Sequence, residues 1–466
     1  MAADYRRQRK NDYPIKIGQR FPLTIKRLGI NGEGIGYFKH KVIFVAGALP
    51  QEVIVAEVVD VESNYATAKI HRIRRQSQKR VEKKDKYDVG GIELEHLNYE
   101  GQLEFKRDVI KQALEKFKPS GYKKYKILPT IGMEKPFEYR NKAQFQVRKN
   151  VHGQVIAGLY RRNSHDLVAL PTFSTQRPLT LKVIRTVCRM LQELEVPIYD
   201  EKKNSGIVKT LVVRESRAEK NIQLTFITNS AKLPQKKVLL AKIEEELPMV
   251  VSVMQNINKG RHALVWGDKT IHLAGREYLM EKLGNISFKL SARAFFQLNP
   301  EQTEKMYTEI KKALALKPDE ILLDAYCGVG TIGLFVAEQA KEVRGMDIIP
   351  EAIEDAQFNA KLNGYTNTTY ETGKAEEVIP RWIEKGFVPS AIVVDPPRTG
   401  LDIKLIKTIL YVKPQKLVYV SCNPSTLARD LVKLAQEYRV EYIQSIDMFP
   451  QTARCEAVVK LTRRSR

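Results

Sequence analysis

The sequence predicts an α/β protein in which a doubly wound parallel sheet follows a small β-barrel and a mixed α+β region. Three observations lead to this prediction. From Asp319 onward, short apolar strands alternate with helices, the order typical of parallel sheets. Between Ile15 and Ile73, about five β-prone runs separated by turn residues suit a small oligonucleotide-binding type barrel. The 466 residues also exceed what one core commonly holds, so we expect several domains.

The charge balance points to an anionic partner. Lysine and arginine total 78 and aspartate and glutamate total 54, so the formal net charge is +24. A compact chain with that surplus repels itself unless a polyanion offsets the charge, and we therefore predict a nucleic-acid partner. Hydrophobic residues make up 43% and charged residues 28%, which is usual for a globular protein and excludes a largely disordered or collagen-like chain.

Several classes of protein are excluded by composition. The chain has no run of about 18 apolar residues and no apolar signal segment, so we predict a cytoplasmic protein without a membrane span. Its cysteines are scattered and form no Cys-x-x-Cys pair, so we predict neither a disulfide scaffold nor a metal site. The four are Cys188, Cys327, Cys422 and Cys455.

The N-terminal part consists of a basic tail, residues 1–14, and the predicted barrel, residues 15–73. The run 72–86 that follows holds eight basic residues against two acidic ones. It is either a solvated linker or a surface that contacts phosphate, and both interpretations stay open at this point. The predicted barrel strands are Phe21 to Ile25, Gly34 to Phe38, Lys41 to Val45, Glu52 to Val59 and Ala66 to Ile73.

Residues 74–290 combine this basic linker with a central α+β domain that we expect to bind nucleic acid. Apolar residues at helical spacing predict a helix over 99–118, and we expect it to pack on the C-terminal domain. Further elements are predicted at Ala143 to Val147, Val155 to Tyr160, Leu179 to Leu194 (a helix), Ile207 to Arg214 and Ile222 to Thr228.

Residues 291–466 form the predicted doubly wound domain, whose ligand crevice lies at the carboxyl ends of its strands. Two final strands without a helix between them predict an antiparallel hairpin at one edge of the sheet. The predicted strands are Ile321 to Asp324, Val343 to Asp347, Ala391 to Asp395, Leu417 to Ser421, Val440 to Met448 and Cys455 to Leu461, and the helices are Gly333 to Ala340, Glu351 to Asn363 and Ser425 to Gln436.

A glycine-rich loop, Asp324 to Gly333, joins the first of these strands to a helix. Glycines allow a ligand to approach the backbone closely at a helix N-terminus, and Asp347 ends the next strand, where a carboxylate can bind ribose hydroxyls. A dinucleotide site, an S-adenosylmethionine site and a purely structural turn all share this pattern. The acid ahead of the glycines and the terminal hairpin favour S-adenosylmethionine.

Four further segments are predicted to meet near this crevice. Consecutive prolines fix the backbone after Asp395 and direct that residue into the cleft. Cys422 ends a strand just before a helix, so the helix terminus is predicted to lower its thiol pKa and make it a nucleophile; the alternative is a small buried apolar residue. The segments are Phe295 to Asn299, Asp395 to Arg398, Ser421 to Thr426, and Phe449 to Thr452 leading to Glu456.

Together these motifs resemble the RNA (uracil-5-)-methyltransferase family with an N-terminal TRAM domain, an OB-fold-like barrel, over nearly the whole chain. The resemblance is nearest to the bacterial 23S ribosomal RNA enzymes. It implies a Rossmann-like methyltransferase domain that uses S-adenosyl-L-methionine to form 5-methyluridine, most often as a monomer. It also implies that Cys422 is the nucleophile, that Glu456 is the base, and that the methyl donor is held by Gln297, Tyr326, Asp347 and Asp395.

The chain departs from the family pattern in two places. Many relatives carry an iron-sulfur cluster on four cysteines, but 87–97 contains none, so we expect no cluster. Relatives often have a histidine two positions before the base, where this chain has Arg454, a residue that could bind an RNA phosphate or lower the pKa of Glu456. The missing cluster also suggests the hypothesis that more than one ribosomal uracil is methylated.

Three other functions compete with methylation of 23S rRNA. The same reaction on tRNA shares every chemical motif. An inactive RNA-binding or assembly protein is disfavoured because Cys422, Asp395 and Glu456 are all present. A nicotinamide-dependent oxidoreductase is supported by the glycine loop alone.

Overall fold

The structure, a computed structural model, describes residues 15–261 and 264–464, and the predicted basic tail lies outside the described residues. The described chain divides into two compact units. The first consists of 15–84, 92–105 and 451–453, and the second of 85–91, 106–450 and 454–464. No helix of the described part is long and apolar enough to cross a membrane.

The first unit contains a six-stranded sheet in the order β1-β5-β6-β4-β3-β2. Alternate residues of its strands are buried, as the period of a strand facing a core on one side requires. All five predicted strands are present within two residues of their predicted ends. The strands are β1 Arg20–Thr24, β2 Arg27–Leu28, β3 Gly34–Phe38, β4 Lys41–Val45, β5 Val53–Val61 and β6 Tyr65–Arg75.

The basic run 72–86 is more ordered than either sequence interpretation suggested. Its first residues continue β6, and the Arg80 guanidinium donates to both carboxylate oxygens of Glu52, at 2.6 and 2.8 Å, and to the Gly47 carbonyl at 2.6 Å. Glu52 is fully buried; burial alone would raise its pKa, but the Arg80 hydrogen bond and charge hold the pKa below its ordinary value. Arg80 is therefore a structural residue of the barrel, whereas Lys83 and Lys84 are exposed.

The second unit contains a central seven-stranded sheet in the order β13-β12-β11-β10-β7-β8-β9, antiparallel except for the parallel pair β11 and β12. Helix α1, Tyr99–Phe117, matches the sequence prediction, and its residues Ile110, Ala113 and Leu114 lie in the core of the C-terminal sheet. The central elements are β7 Lys142–Lys149, β8 Val155–Tyr160, β9 Leu167–Ala169, α2 Pro178–Glu193, β10 Val208–Glu215, β11 Ile222–Thr228, α3 Lys236–Glu246, β12 Val250–Ile257 and β13 Lys269–Gly275.

A hairpin and a helix lead into the C-terminal sheet, whose order is β18-β17-β16-β19-β20-β22-β21. The first five of these strands are parallel and β22 runs antiparallel to β20, so the predicted edge hairpin is confirmed. The elements are β14 Leu279–Leu283, β15 Ile286–Leu290, α4 Pro300–Leu314, β16 Ile321–Ala325, α5 Thr331–Val336, β17 Glu342–Asp347, α6 Pro350–Leu362, β18 Thr368–Thr372, α7 Ala375–Glu384, β19 Ala391–Val394, α8 Ile403–Val412, β20 Lys416–Ser421, α9 Pro424–Leu434, β21 Tyr438–Ile446 and β22 Glu456–Arg463.

Apolar cores cover both faces of this sheet, as a doubly wound fold requires. Strand β18 and helices α4, α7 and α8 were not identified from the sequence. Helix α5 begins two residues earlier than predicted and ends in a 3-10 turn at Ala337–Gln339. The predicted α/β class is confirmed, and the division into domains at 73 and 290 stays a prediction.

Candidate active site

The glycine loop after β16 is open toward the cleft. Tyr326, Gly328 and Gly330 have positive φ angles of 66°, 55° and 83°, and a Cβ built on Gly328 would meet no atom within 4 Å. Asp347 holds the loop, because its Oδ2 accepts from the Gly328 N–H at 3.1 Å. Its Oδ1 accepts from the Ile349 N–H at 3.0 Å. The loop is thus fixed with free space before its backbone, as a bound ligand requires.

A cleft of about 620 Å³ adjoins this loop at the carboxyl ends of the parallel strands. Tyr326, Ile348, Glu376 and Pro397 contribute to its lining. This volume lies within the range of nucleoside-sized ligand sites. Behind the loop, Asp324 is fully buried; its Oδ2 accepts from the Gly333 N–H at 2.8 Å, while its Oδ1 has no partner. The residues present therefore fit an adenosyl cofactor.

The segment that carries Gln297 is anchored next to the last hairpin. Gln297 itself is partly buried. Asn299 caps α4 by accepting from the Gln302 N–H at 3.3 Å and donates from its Nδ2 to the Met448 carbonyl at 3.0 Å. The Asn141 N–H donates to the Leu298 carbonyl at 2.9 Å. These bonds place the segment between the central sheet and the turn that precedes Glu456.

The antiparallel pair β20 and β22 brings Cys422 close to Glu456. Ser421, the last residue of β20, pairs with Ala457, so Cys422 comes just after one strand of this pair and Glu456 begins the other. The charge of Glu456 acts on the Cys422 thiol. Asp395 lies at the end of the adjacent strand β19, and its charge acts on both groups. The structure thus brings together the predicted nucleophile, the predicted base and Asp395, one of the residues predicted to hold the methyl donor.

Burial raises the pKa of every acid in this cluster. It raises the pKa of Asp395 to about 7. Burial and then the charge of Asp395 raise the pKa of Glu456 to about 8, against the opposing charges of Lys106, Arg398 and Arg454. Burial also raises the pKa of Asp324 to about 8. A carboxyl group with a pKa near 8 is suited to exchanging a proton at neutral pH.

The predicted low pKa of the nucleophile is wrong for the protein without its ligands. Burial, followed by the charges of Glu456 and Asp395, raises the pKa of the Cys422 thiol to about 11. Helix α9 does begin just beyond it, with Asn423 as N-cap, but this terminus does not outweigh two carboxylates in a desolvated site. Arg454 lowers the pKa of Glu456 as anticipated, yet burial exceeds its effect.

Two residues near the cluster were missed by sequence reasoning. Lys106 is fully buried on α1, forms an ion pair with Asp447, and donates to the Phe449 carbonyl at 2.9 Å. Its signal was available, since Lys106 lies at helical spacing between the apolar residues Leu103 and Ile110. Arg398 opposes the acidic charges on Cys422 and Glu456, and its carbonyl accepts from Asn423 Nδ2 at 2.9 Å.

The other three cysteines lie in the interior. Burial raises the pKa of both Cys188 and Cys455 to about 12, and Cys327 is likewise buried, so all three are placed as small packing residues of the interior. Among residues 15–261 and 264–464, no group of three or more His, Cys, Asp or Glu side chains is arranged to hold a metal ion.

Comparison with known proteins now adds a family to this geometry. The model of the tRNA (uracil-5-)-methyltransferase family matches residues 98–464, and that of the TRAM domain matches residues 14–71. The chain belongs to the tRNA (uracil-5-)-methyltransferase family. It is an S-adenosyl-L-methionine-dependent RNA methyltransferase with an N-terminal TRAM domain. The predicted family, cofactor and fold are therefore confirmed.

Two relatives and one solved structure illustrate the similarity. An uncharacterized RNA methyltransferase of Lactiplantibacillus plantarum is 62% identical over 99% of this chain and 97% of its own length. Another, of Enterococcus faecalis, is 54% identical over 97% and 99%. The tRNA (uracil-54, C5)-methyltransferase of Pyrococcus abyssi, solved with S-adenosyl-L-homocysteine, is 27% identical, with a TM-score of 0.75 over 95% of this chain and 99% of that one.

Proposed function

We propose that this methyltransferase modifies C5 of uracil in 23S rRNA through a covalent adduct between Cys422 and C6 of the base, in the cytoplasm. The observation that carries the proposal is the nearness of Cys422 to two carboxyl groups: Ser421 pairs with Ala457, and the charges of Glu456 and Asp395 both act on the Cys422 thiol. Uracil C5 is too weak a carbon nucleophile to be methylated directly. A thiolate that adds to C6 moves electron density onto C5 and solves that problem.

The residues divide the remaining work. S-adenosyl-L-methionine, when bound, supplies the methyl group, and Gln297, Tyr326, Asp347 and Asp395 are the residues proposed to hold it. Once C5 carries both the methyl group and a hydrogen, Glu456 removes that hydrogen as a proton. The C5–C6 double bond then re-forms as the C6–S bond breaks, which returns the thiolate of Cys422. With a pKa of about 8, Glu456 is a stronger base than an ordinary glutamate.

The choice of RNA is supported less directly. The ribosomal substrate follows from the resemblance of the motifs to bacterial 23S rRNA enzymes. Transfer RNA is the second candidate, because the Pyrococcus abyssi structure similar to this chain is a tRNA (uracil-54, C5)-methyltransferase. In both cases the target uracil must leave its base stack to meet Cys422. We further propose that the enzyme acts as a monomer and modifies more than one ribosomal uracil.

A side-by-side transfer assay tests the proposal. Labelled S-adenosyl-L-methionine is incubated with unmodified 23S rRNA or unmodified tRNA and with wild type, Cys422→Ala or the core control Cys188→Ala. We expect label in 5-methyluridine of 23S rRNA, abolished by Cys422→Ala and retained by Cys188→Ala. Label on tRNA alone would show that tRNA, and not 23S rRNA, is the substrate. Full activity of Cys422→Ala would refute the covalent adduct. Mapping the labelled positions counts the uracils, and a single position would refute multiple modification.

A further inference from the structure

The central sheet carries a second pocket that the methylation chemistry does not use. It encloses about 410 Å³ between β7, β8, β10 and the segment after β12. Its charged lining residues comprise two arginines, one lysine, one carboxylate and one histidine: Arg148, Arg261, Lys209, Glu201 and His165. The excess of positive charge in a concave site predicts an anionic ligand.

The cations in this pocket are held in place by the fold. Arg148 donates from Nη1 to the Val147 and Lys209 carbonyls, at 2.8 and 3.1 Å, and from Nη2 to the Tyr160 hydroxyl at 2.6 Å. Lys209 is 8% exposed and donates to the Asn258 and Gly260 carbonyls, at 3.0 and 2.7 Å. An ammonium group has three N–H donors, so these two bonds leave one for a ligand.

Aromatic rings accompany these cations. The Arg148 guanidinium lies 5.9 Å from the Tyr160 ring centroid and 5.5 Å from that of Tyr199, and Lys209 Nζ lies 4.8 Å from the Tyr199 centroid. Tyr160 is partly exposed, and the Gln146 side chain adds a polar amide to the lining. Cations for a phosphate, an aromatic ring and an amide for a base edge are the groups that bind a nucleotide of single-stranded RNA.

Strand β7 connects this pocket with the candidate active site. Its even-numbered side chains, from Lys142 to Arg148, are all partly exposed, while the residues between them are buried. At its start, the Asn141 N–H binds the Leu298 carbonyl next to Gln297. Residues 142 and 148 are six positions apart, which is about 20 Å along a strand. A length of several nucleotides is needed to span that distance.

The near end of this row is also cationic. Lys142 pairs across the strands with Arg214, which is 4% exposed and whose Nη1 has no hydrogen-bond partner, although its Nη2 donates to the Ala294 carbonyl at 2.5 Å. Burial and the charges of Arg214 and Arg140 lower the pKa of Lys142 to about 7. The charges of Asp355 and Glu281 already act on Arg214. An RNA phosphate beside Lys142 would favour its protonated form and so add positive charge to this end of the row.

We propose that the pocket of Arg148, Lys209, Arg261 and Tyr160 binds a second nucleotide of the RNA substrate, several nucleotides from the methylated uracil, with the intervening phosphates passing along the exposed row of β7. The inference rests on the proposed function, since it takes RNA as the substrate and Cys422 as the methylation site. It assigns to the central domain a role in choosing the RNA, separate from the chemistry.

Binding measurements on the full chain test this pocket. The probes are unmodified 23S rRNA and tRNA, with Arg148→Gln and Arg261→Gln as variants and Arg185→Gln, an exposed arginine of α2 outside the pocket, as the matched control. On whichever RNA the wild type methylates, we expect each pocket variant to raise Kd about tenfold and to reduce the slope of log Kd against log salt by about one. The control stays within twofold in Kd.

Shortened RNA makes the test specific. RNA fragments are trimmed progressively around the methylated uracil. Wild type should bind more weakly once a fragment is too short to reach the Arg148 pocket, whereas Arg148→Gln should bind full-length and trimmed RNA equally. Equal effects of trimming on both proteins, or pocket variants that bind like Arg185→Gln, would overturn the inference. If wild type methylates neither RNA, the proposed function fails, while the Kd comparison still decides the pocket. Should Arg148→Gln not fold, Arg261→Gln carries the test.

Discussion

The acidic cluster around Cys422 and the pocket around Arg148 have opposite electrostatic character within one unit of the molecule. The cluster holds the partly buried carboxyl group of Asp395 and the buried one of Glu456, whose pKa values rise to about 7 and about 8. The pocket gathers cations, and burial followed by the charge of Arg148 lowers the pKa of Lys209. Desolvated acids are suited to moving protons, whereas cations on a polar surface are suited to holding phosphates. The acidic cluster is therefore suited to the reaction, and the cationic pocket is suited to binding the RNA.

The largest effect is expected from a substitution in the acidic cluster around Cys422. Replacing Glu456 by Gln removes the proposed proton acceptor, so the proposed adduct between Cys422 and uracil would have no route to product. We expect turnover to fall by about 100-fold or more, with a protein–RNA adduct accumulating on denaturing gels.

The adduct assay has a control variant, and one outcome would contradict the proposed role of Glu456. The double variant Cys422→Ala/Glu456→Gln should form no adduct, because the nucleophile is missing. Without S-adenosyl-L-methionine, so that no methylated adduct accumulates, the RNA affinity of Glu456→Gln should stay within about twofold of wild type, because the proposed role of the residue is proton removal from the base and not phosphate binding. Normal turnover by Glu456→Gln would show that another group removes the proton.

The next effect concerns the buried ion pair between Lys106 and Asp447. Lys106→Met leaves Asp447 charged and unpaired in the interior, so we expect the free energy of unfolding to fall by about 3 to 5 kcal/mol in denaturant titrations. The double variant Lys106→Met/Asp447→Leu removes both charges and should recover most of that loss. A double variant as unstable as Lys106→Met alone would mean that shape, and not charge, explains the effect.

A smaller effect concerns the stability of the folded protein, which the raised pKa of Asp395 makes dependent on pH. Because the folded-state pKa of Asp395, about 7, lies above its unfolded value, the folded protein binds the extra proton. Its contribution to stability is fully present below the unfolded pKa near 4 and is lost as pH rises through about 7. Asp395→Asn stays neutral at every pH.

The thermal midpoint measures this difference. We expect Asp395→Asn to exceed wild type by about 5 °C at pH 8.5, and the two proteins to unfold within about 1 °C of each other at pH 4. Thr399→Ala, a change of an exposed neighbour, should show no such pH dependence. An equal shift at both pH values would attribute the change to packing and not to the charge of Asp395.

Local sequence pattern determined most of the elements and motifs. β-prone runs between turn residues identified the barrel strands, helical spacing gave α1 to within one residue, and two strands without an intervening helix gave the edge hairpin. Candidate site residues could be predicted for a related reason. The carboxyl ends of parallel strands meet at one edge of the sheet, so the sequence places Asp347 and Asp395 near the glycine loop.

Tertiary structure alone decided the electrostatics and the second pocket. The thiol pKa of Cys422 depends on what folds around it: burial first, and then the charges of Glu456 and Asp395, raise the pKa that the helix terminus was predicted to lower. Arg80 reads as linker charge until Glu52 is placed beside it. The pocket combines residues of strands that are distant in sequence, such as Arg148 and Lys209. Local periodicity determines an element's type, but burial and charge at a site are set by partners that only folding brings together.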